Sequence, residues 1–408
     1  MVFALFKKNC SGYSTVNPPG IWQVNSPVCP HQIFFTLLPQ SESGSKGNET
    51  LNDQADAPRI ISWNITLRCP LKCAHCYVDA GEQEADRVLS TEEAFMVIDQ
   101  IRVTGKPVVV LSGGEPLLRE DIYAIARYGT EQGLRMVMGT SGYLIDRVIA
   151  LKLKEAGIRA VAISLDSKDP ATHDSFRGLE GVWDRAVQAI GHCRDAGITV
   201  QINMSVMRSD ICDVEDVIGL GTTLGVRDYQ IFIPIPTGRA RQIKPRSPEE
   251  YEDLIRQILI RYCDSDLNIR PTCAPQFRRI ADGLGIMNPA WGRGCLAGIT
   301  YCRIFANGDV TPCPYLPVSA GNVRTTPFNE IWNNSPLLTA LRNPDLLTGK
   351  CGRCDFKTIC GGCRARAYSR EDAASPLWCD GLATPDTLNG ECFGEDPWCP
   401  YQPEEVKP

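Results

Sequence analysis

The sequence predicts an α/β fold with a parallel sheet, followed by a tail that metal rather than an apolar core must organise. Three observations carry this. From residue 58 to about 240, short runs rich in Val and Ile alternate with longer amphipathic segments, the pattern of βα units. Gly133, Gly157, Gly197 and Gly225 each precede an apolar residue, then Arg or Thr, then a strand, which places each glycine just past a helix end. Finally, ten of the 19 cysteines follow residue 290, where regular periodicity fades into Cys, Gly and Pro.

Taken in order, residues 1–57 read as an N-terminal extension and flexible linker. Ser41–Asp56 has almost no apolar content, and Ile33–Leu38 is one short strand at most. Residues 58–240 hold strands near Ile60–Leu67, Pro107–Ser112, Arg135–Thr140, Ala160–Leu165, Thr199–Val206 and Asp228–Pro234, with a capping box at Ser90 and Glu93. Six parallel strands with intervening helices fit either an open doubly wound sheet or a barrel of six units, and composition does not choose. Residues 241–290 form a helical bridge, Pro248–Cys263 above all, and residues 291–408 form the cysteine-rich unit.

Of 408 residues, 48 are acidic and 42 basic, a net charge of −6, and 43% are hydrophobic. The mild acidity argues against binding nucleic acid by phosphate neutralisation. Apolar runs such as Val108–Leu111 fall far short of the roughly 20 residues that cross a bilayer, so no membrane role is expected. Met1–Asn9 lacks the layout of a signal peptide, and a cytoplasmic location is expected. There, clustered cysteines in odd number bind metal more often than they form disulfides.

Cys69, Cys73 and Cys76 follow directly on the first strand, at the edge where such folds build their sites. Three thiolates so spaced can hold three corners of a four-iron four-sulfur cube and leave the fourth iron open to a chelating ligand. The competing reading is a structural zinc site completed by His75.

CxxxCxxC with Tyr77 beside it, joined by Ser112-Gly113-Gly114-Glu115-Pro116 at the end of the second strand, resembles the radical S-adenosylmethionine (SAM) superfamily. The resemblance implies a partial (β/α)6 TIM-like barrel and a SAM-binding 4Fe-4S cluster on Cys69, Cys73 and Cys76. It also implies SAM contacts from Gly113, Gly114, Glu115, Ser141, Ser164 and Asn203, while His173 and Arg177, in Asp169–Gly178, are placed near SAM's carboxylate or the substrate. No catalytic residue is named. Taken alone, Glu115, Ser141, Ser164 and Asn203 read more readily as turn or core residues than as SAM contacts, and the segment of His173 and Arg177 reads equally well as helix capping.

The tail resembles the SPASM extension of these enzymes. Twelve residues separate Cys295 from Gly308, four separate Gly308 from Cys313, and Cys351-x2-Cys354-x5-Cys360-x2-Cys363 follows, one residue shorter at its last spacing than the family pattern. This implies one or two auxiliary 4Fe-4S clusters: one on Cys295, Cys302, Cys313 and Cys363, the other on Cys351, Cys354, Cys360 and Cys399, with Cys379 and Cys392 as competitors for the last place. A zinc ribbon on Cys351, Cys354, Cys360 and Cys363 is the alternative. Cys10, Cys29, Cys193, Cys212 and Cys263 read as ordinary thiols.

Thr272-Cys273-Ala274-Pro275, Tyr301-Cys302-Arg303-Ile304 and Thr311-Pro312-Cys313-Pro314-Tyr315 resemble the alternative heme and heme d1 biosynthesis enzymes, most closely the didecarboxysiroheme deacetylase type. This implies a tetrapyrrole substrate, removal of acetates from 12,18-didecarboxysiroheme to give Fe-coproporphyrin III, and a reducing donor such as flavodoxin or ferredoxin. The alternatives are an Fe-coproporphyrin III decarboxylase of the heme synthase type, a SPASM peptide maturase, and an iron–sulfur electron carrier without turnover. A macrocycle with several carboxylates needs a wide apolar cleft rimmed by cations, and Arg239, Arg241, Lys244, Arg278, Arg279 and Arg293 are the candidates.

Overall fold

Seven strands lie side by side in chain order, all parallel: β1 (Ile60–Asn64), β2 (Val108–Ser112), β3 (Arg135–Thr140), β4 (Ala160–Ser164), β5 (Thr199–Ser205), β6 (Asp228–Phe232) and β7 (Asn268–Thr272). The protein is represented by a computed structural model that describes residues 57–207, 209–288, 291–368 and 391–403. The readings of Ile33–Leu38, Ser41–Asp56, Cys10, Cys29 and Cys379 lie outside the described residues.

Six of these strands fall where the sequence places them. The connecting helices are α1 (Thr91–Thr104), α2 (Ile122–Glu131), α3 (Arg147–Glu155), α4 (Pro170–Arg177), α5 (Val182–Asp195), α6 (Ile211–Thr223), α7 (Pro248–Tyr262) and α8 (Phe277–Gly283). Ser90 and Glu93 form the capping box of α1. The recurring glycines are one device used four times. Gly133, Gly157, Gly197 and Gly225 have φ between +70° and +88°, and the next residue donates its N–H five residues back: Leu134 to Gly129, Ile158 to Leu153, Ile198 to Cys193 and Val226 to Gly221. That is a left-handed helix end, which glycine adopts without a Cβ penalty.

The structure adds strands that the sequence reading missed. β7 lies inside the stretch expected to be helical; five residues with Pro271 inside give little strand signal, and Pro is tolerated because β7 is an edge. β8 (Tyr301–Ile304), from the supposedly irregular tail, pairs parallel with β1, and β9 (Asp309–Thr311) and β10 (Gly321–Asn322) continue antiparallel. The order is β10-β9-β8-β1-β2-β3-β4-β5-β6-β7, an open sheet of ten strands whose ends do not pair.

Side chains alternate between its faces. Ile61, Trp63, Val109, Leu111, Met136, Met138, Val161, Ile163, Ile202, Met204, Tyr229 and Ile231 join the main core with the helices. Ser62, Asn64, Val110, Ser112, Gly139, Ala162, Gln201, Asn203 and Gln230 line a cavity on the other face. Because strands from β1 to β8 all border that cavity, the sheet curves around it as a partial barrel. No helix among the described residues is long and apolar enough to cross a membrane.

Candidate active site and iron–sulfur centres

The cavity measures about 1540 Å³, above the roughly 300–1000 Å³ of ordinary ligand pockets. Tyr77 reaches it from the cysteine loop, and Cys273, Cys295, Cys313 and Cys363 border it from the other side.

The three-cysteine loop follows β1 and is pinned on three sides. Against β2, Ile65 N–H bonds Ser112 O, Gly114 N–H bonds Thr66 O and Glu115 N–H bonds Arg68 O, at 3.0, 2.8 and 2.8 Å. A Cβ at Gly113 would stand 2.3 Å from Thr66 O, and one at Gly114 2.3 Å from Arg68 O. The close approach these glycines permit is therefore to the chain's own cysteine loop. From α4, Arg177 O and Phe176 O accept from Lys72 and Ala74 N–H. From the turn after β6, Arg239 donates Nε to Cys73 O and pairs with Asp79.

Burial, and after it the neighbouring Glu115, Cys73 and Cys76, pushes the Cys69 thiol up to about 12. Burial also raises Cys73, against the pull of Arg177. Thiols so placed bind protons unless metal displaces them. Among the described residues, no three His, Cys, Asp or Glu side chains gather closely enough for a single metal ion. Cys73 and Cys76 both act on the Cys69 thiol, as three thiols at the corners of one multi-iron cluster would. His75 stacks on Phe176 with ring centroids 4.4 Å apart, and burial followed by Arg177 pushes its imidazole down to about 3.

Two separate sequence motifs meet at Glu115. Its fully buried carboxylate accepts from Thr140 Oγ1 at 2.7 Å, Ser141 Oγ at 2.6 Å and Ser141 N–H at 3.1 Å. Burial raises its pKa, and these donors oppose the rise. Ser141 thus acts on Glu115. Arg177 is held by Asp166, the residue after Leu165, through Nε at 2.6 Å and Nη2 at 2.9 Å, with Nη1 3.9 Å from Cys73 Sγ. Burial would raise Asp166, but Arg177 and then His173 hold it well below the carboxylate range. His173 Nδ1 accepts Asp166 N–H. Ser164 stands in register with Asn203, whose Oδ1 accepts from Gln201 at 2.7 Å beside the cavity.

The tail cysteines form two groups. Cys273, Cys295, Cys313 and Cys363 are mutual neighbours: burial raises Cys273 and Cys313, and the other thiols of the group add to it. Cys363 is pushed up to about 11, first by burial. Cys351, Cys354, Cys360 and Cys399 surround a narrow cleft with Arg279, and burial, then Cys399 and Cys351 among its neighbours, pushes Cys360 up to about 12. Asp396 links the groups. Its N–H approaches Cys351 Sγ at 3.3 Å, its Oδ2 accepts Cys363 N–H at 2.8 Å, and it pairs with buried Arg366, which donates to Cys273 O.

Cys302 is a correction. It joins the main core, away from the other tail thiols, and its one charged neighbour of note is Arg342. The reason is strand alternation: Tyr301 and Arg303 face the cavity, so Cys302 faces the helices. Cys273 takes its place, turned by a left-handed backbone (φ 57°) directly after β7. Its sequence signal was the Thr272–Pro275 stretch, noted without assigning the thiol. Cys392 is buried in a satellite apolar cluster rather than in the Cys399 cleft.

The expected rim cations also need correction, since none of the six lines the cavity. Arg239 holds the cysteine loop, Arg279 pairs with Glu252, Arg293 donates to Lys357 O, and Arg241 donates to Pro236 O. The cavity's arginines are Arg227, Arg270, Arg303 and Arg364. Arg227 is paired with Asp266, and Arg364 with Cys392 O and Gly394 O. Arg270 on β7 and Arg303 on β8 stand at opposite ends of the parallel run.

Comparison with known proteins agrees with this geometry. Residues 63–220 match the radical SAM superfamily, and residues 295–363 match the SPASM iron–sulfur cluster-binding domain. The AdoMet-dependent heme synthase of Methanosarcina barkeri is 38% identical over 85% of this chain and 98% of its own length. The Fe-coproporphyrin III synthase of the same organism is 30% identical over 86% and 90%. In fold, Streptococcus suis SuiB bound to S-adenosylmethionine superposes with a TM-score of 0.65 at 17% identity, covering 85% of this chain and 78% of that one.

Proposed function

This chain belongs to the radical SAM superfamily, and within it to the SPASM-bearing family of heme-biosynthetic enzymes; from that premise we propose that it makes heme from Fe-coproporphyrin III by turning two propionate side chains into vinyl groups. The observation that carries this reading is a cavity of about 1540 Å³ between the three-cysteine loop and the Cys273 group, with arginines on β7 and β8. The greater identity to the heme synthase than to the Fe-coproporphyrin III synthase supports the decarboxylase over the acetate-removing reaction favoured by the sequence motifs.

When bound on Cys69, Cys73 and Cys76, a four-iron cluster with SAM supplies a 5′-deoxyadenosyl radical that takes a hydrogen atom. Each propionate so converted loses that hydrogen atom and CO2, and one electron must be accepted. The chain's part is placement. Glu115, held by Thr140 and Ser141, presents a buried carboxylate to the methionine ammonium. Arg177, held by Asp166, keeps a cation beside Cys73. The Cys273 group borders the substrate cavity and the Cys351 group does not, so a cluster held by Cys273, Cys295, Cys313 and Cys363 would stand nearer the substrate and would supply an electron acceptor there. A flavodoxin or ferredoxin is the proposed reductant.

The test is anaerobic turnover of reconstituted protein with SAM, a low-potential reductant and Fe-coproporphyrin III, followed by mass spectrometry. The expected result is 5′-deoxyadenosine with the mass of heme. An unaltered Fe-coproporphyrin III, with acetates lost from didecarboxysiroheme instead, establishes the other reading.

A further inference from the structure

Among the described residues, Arg303 is a buried cation with no carboxylate paired to it. It is 1% exposed, and neither Nε nor Nη2 has a hydrogen-bond partner among those residues. A charged group in that position is costly until an anion arrives to share its hydrogens. Its guanidinium carbon lies over two rings, Tyr77 and Phe305, 4.6 Å from each centroid. Parallel register sets Arg303 beside Ser62 of β1, and Ser62 Oγ shares a hydrogen bond of 2.5 Å with Tyr301 OH. Arg303, Tyr301, Ser62 and Tyr77 all line the cavity.

We propose that Arg303 is the carboxylate anchor of the substrate cavity: it takes a side-chain carboxylate of the macrocycle in a forked contact, with one further donor from the Ser62–Tyr301 hydroxyl pair, the hydroxyl that accepts from the other. The inference deepens the tetrapyrrole reading above and rests on it. Guanidinium is the group suited to this role, because its flat fork matches two carboxylate oxygens and it packs over aromatic rings. Tyr77 follows Cys76 directly and lies edge-on to Tyr315, centroids 5.3 Å apart. The anchored side chain is therefore held between the three-cysteine loop and the Cys273 group, which makes Arg303 a specificity residue.

The test compares two ligands on anaerobically reconstituted full-length protein: Fe-coproporphyrin III and its tetramethyl ester, each titrated by its Soret absorbance. Wild type is expected to prefer the free acid. Arg303→Met is expected to weaken free-acid binding roughly 10- to 100-fold and to leave ester binding unchanged. Arg303→Lys keeps the charge but loses the fork, and carries the same test should the Met variant not fold: free-acid affinity falls and ester affinity does not. Equal binding of the free acid by wild type and both variants overturns the anchor, as does an equal loss for acid and ester, which marks a structural role. Loss of SAM binding with macrocycle affinity intact overturns it too. If wild type binds neither macrocycle, the tetrapyrrole reading itself fails, and the anchor with it.

Discussion

Arg177 holds both oxygens of Asp166, at 2.6 and 2.9 Å, and turns its remaining nitrogen to within 3.9 Å of Cys73 Sγ. The pair is almost wholly buried, so one ion pair both orders the end of α4 and sets the charge beside a candidate cluster ligand. Removing the arginine strands a buried carboxylate. Arg177→Met should cost about 3–5 kcal/mol of stability, read as a lowered anaerobic melting midpoint, and should reduce iron bound by the three-cysteine loop.

Cys273 and Cys302 should separate in iron analysis. Cys273→Ala removes a thiol from a group of four and is expected to lose the iron of one auxiliary cluster after reconstitution. Cys302→Ala should retain full iron and lose only about 1 kcal/mol, a small-cavity cost in the core.

Gly114→Ala tests the seat of the cysteine loop. Its Cβ would meet Arg68 O at 2.3 Å, a backbone atom with no rotamer to yield. The loop must shift, and a displacement of about 1 Å can cost roughly 100-fold in rate. Reductive SAM cleavage should fall by about that factor while iron bound by the tail cysteines stays constant.

Glu93 caps α1 and also binds Arg324, 231 residues away, at 2.5 and 2.7 Å. The Arg324 hydrogen bond, then the Ser90 N–H, holds its pKa down to about 2, against roughly 4.3 in an unfolded chain. The folded value is the lower one, so the stabilisation is complete above about pH 4.3 and is lost as pH falls through about 2. Glu93→Gln should cost about 1 kcal/mol near neutrality, allowing for solvent screening. The melting difference from wild type should close as pH drops through that window.

Local chemistry explains which parts were legible before the fold was known. Six strands and the ends of α2, α3, α5 and α6 were readable because Val-rich runs, and glycines followed by an apolar residue, act within a few residues. CxxxCxxC and the glycines after β2 were readable for the same reason. β7 and β8 were not, since Asn268–Thr272, with Pro271 inside, and Tyr301–Ile304 lack the Val- and Ile-rich run of the earlier strands, and their strand character comes from pairing with β6 and β1.

By itself the sequence determined the parallel βα core, the three-cysteine loop at the end of its first strand, and a tail that depends on its cysteines, because each is encoded in short spacings. Tertiary structure alone decided which groups share a site. The register Ser62 to Arg303 turns Arg303 and Tyr301 into the cavity and sends Cys302 into the core, while the left-handed turn after β7 sets Cys273 among Cys295, Cys313 and Cys363. With a side-chain period of two, one step of register exchanges every ligand-facing residue for a buried one, and a pairing between residues 60 and 301 leaves no mark in either segment alone.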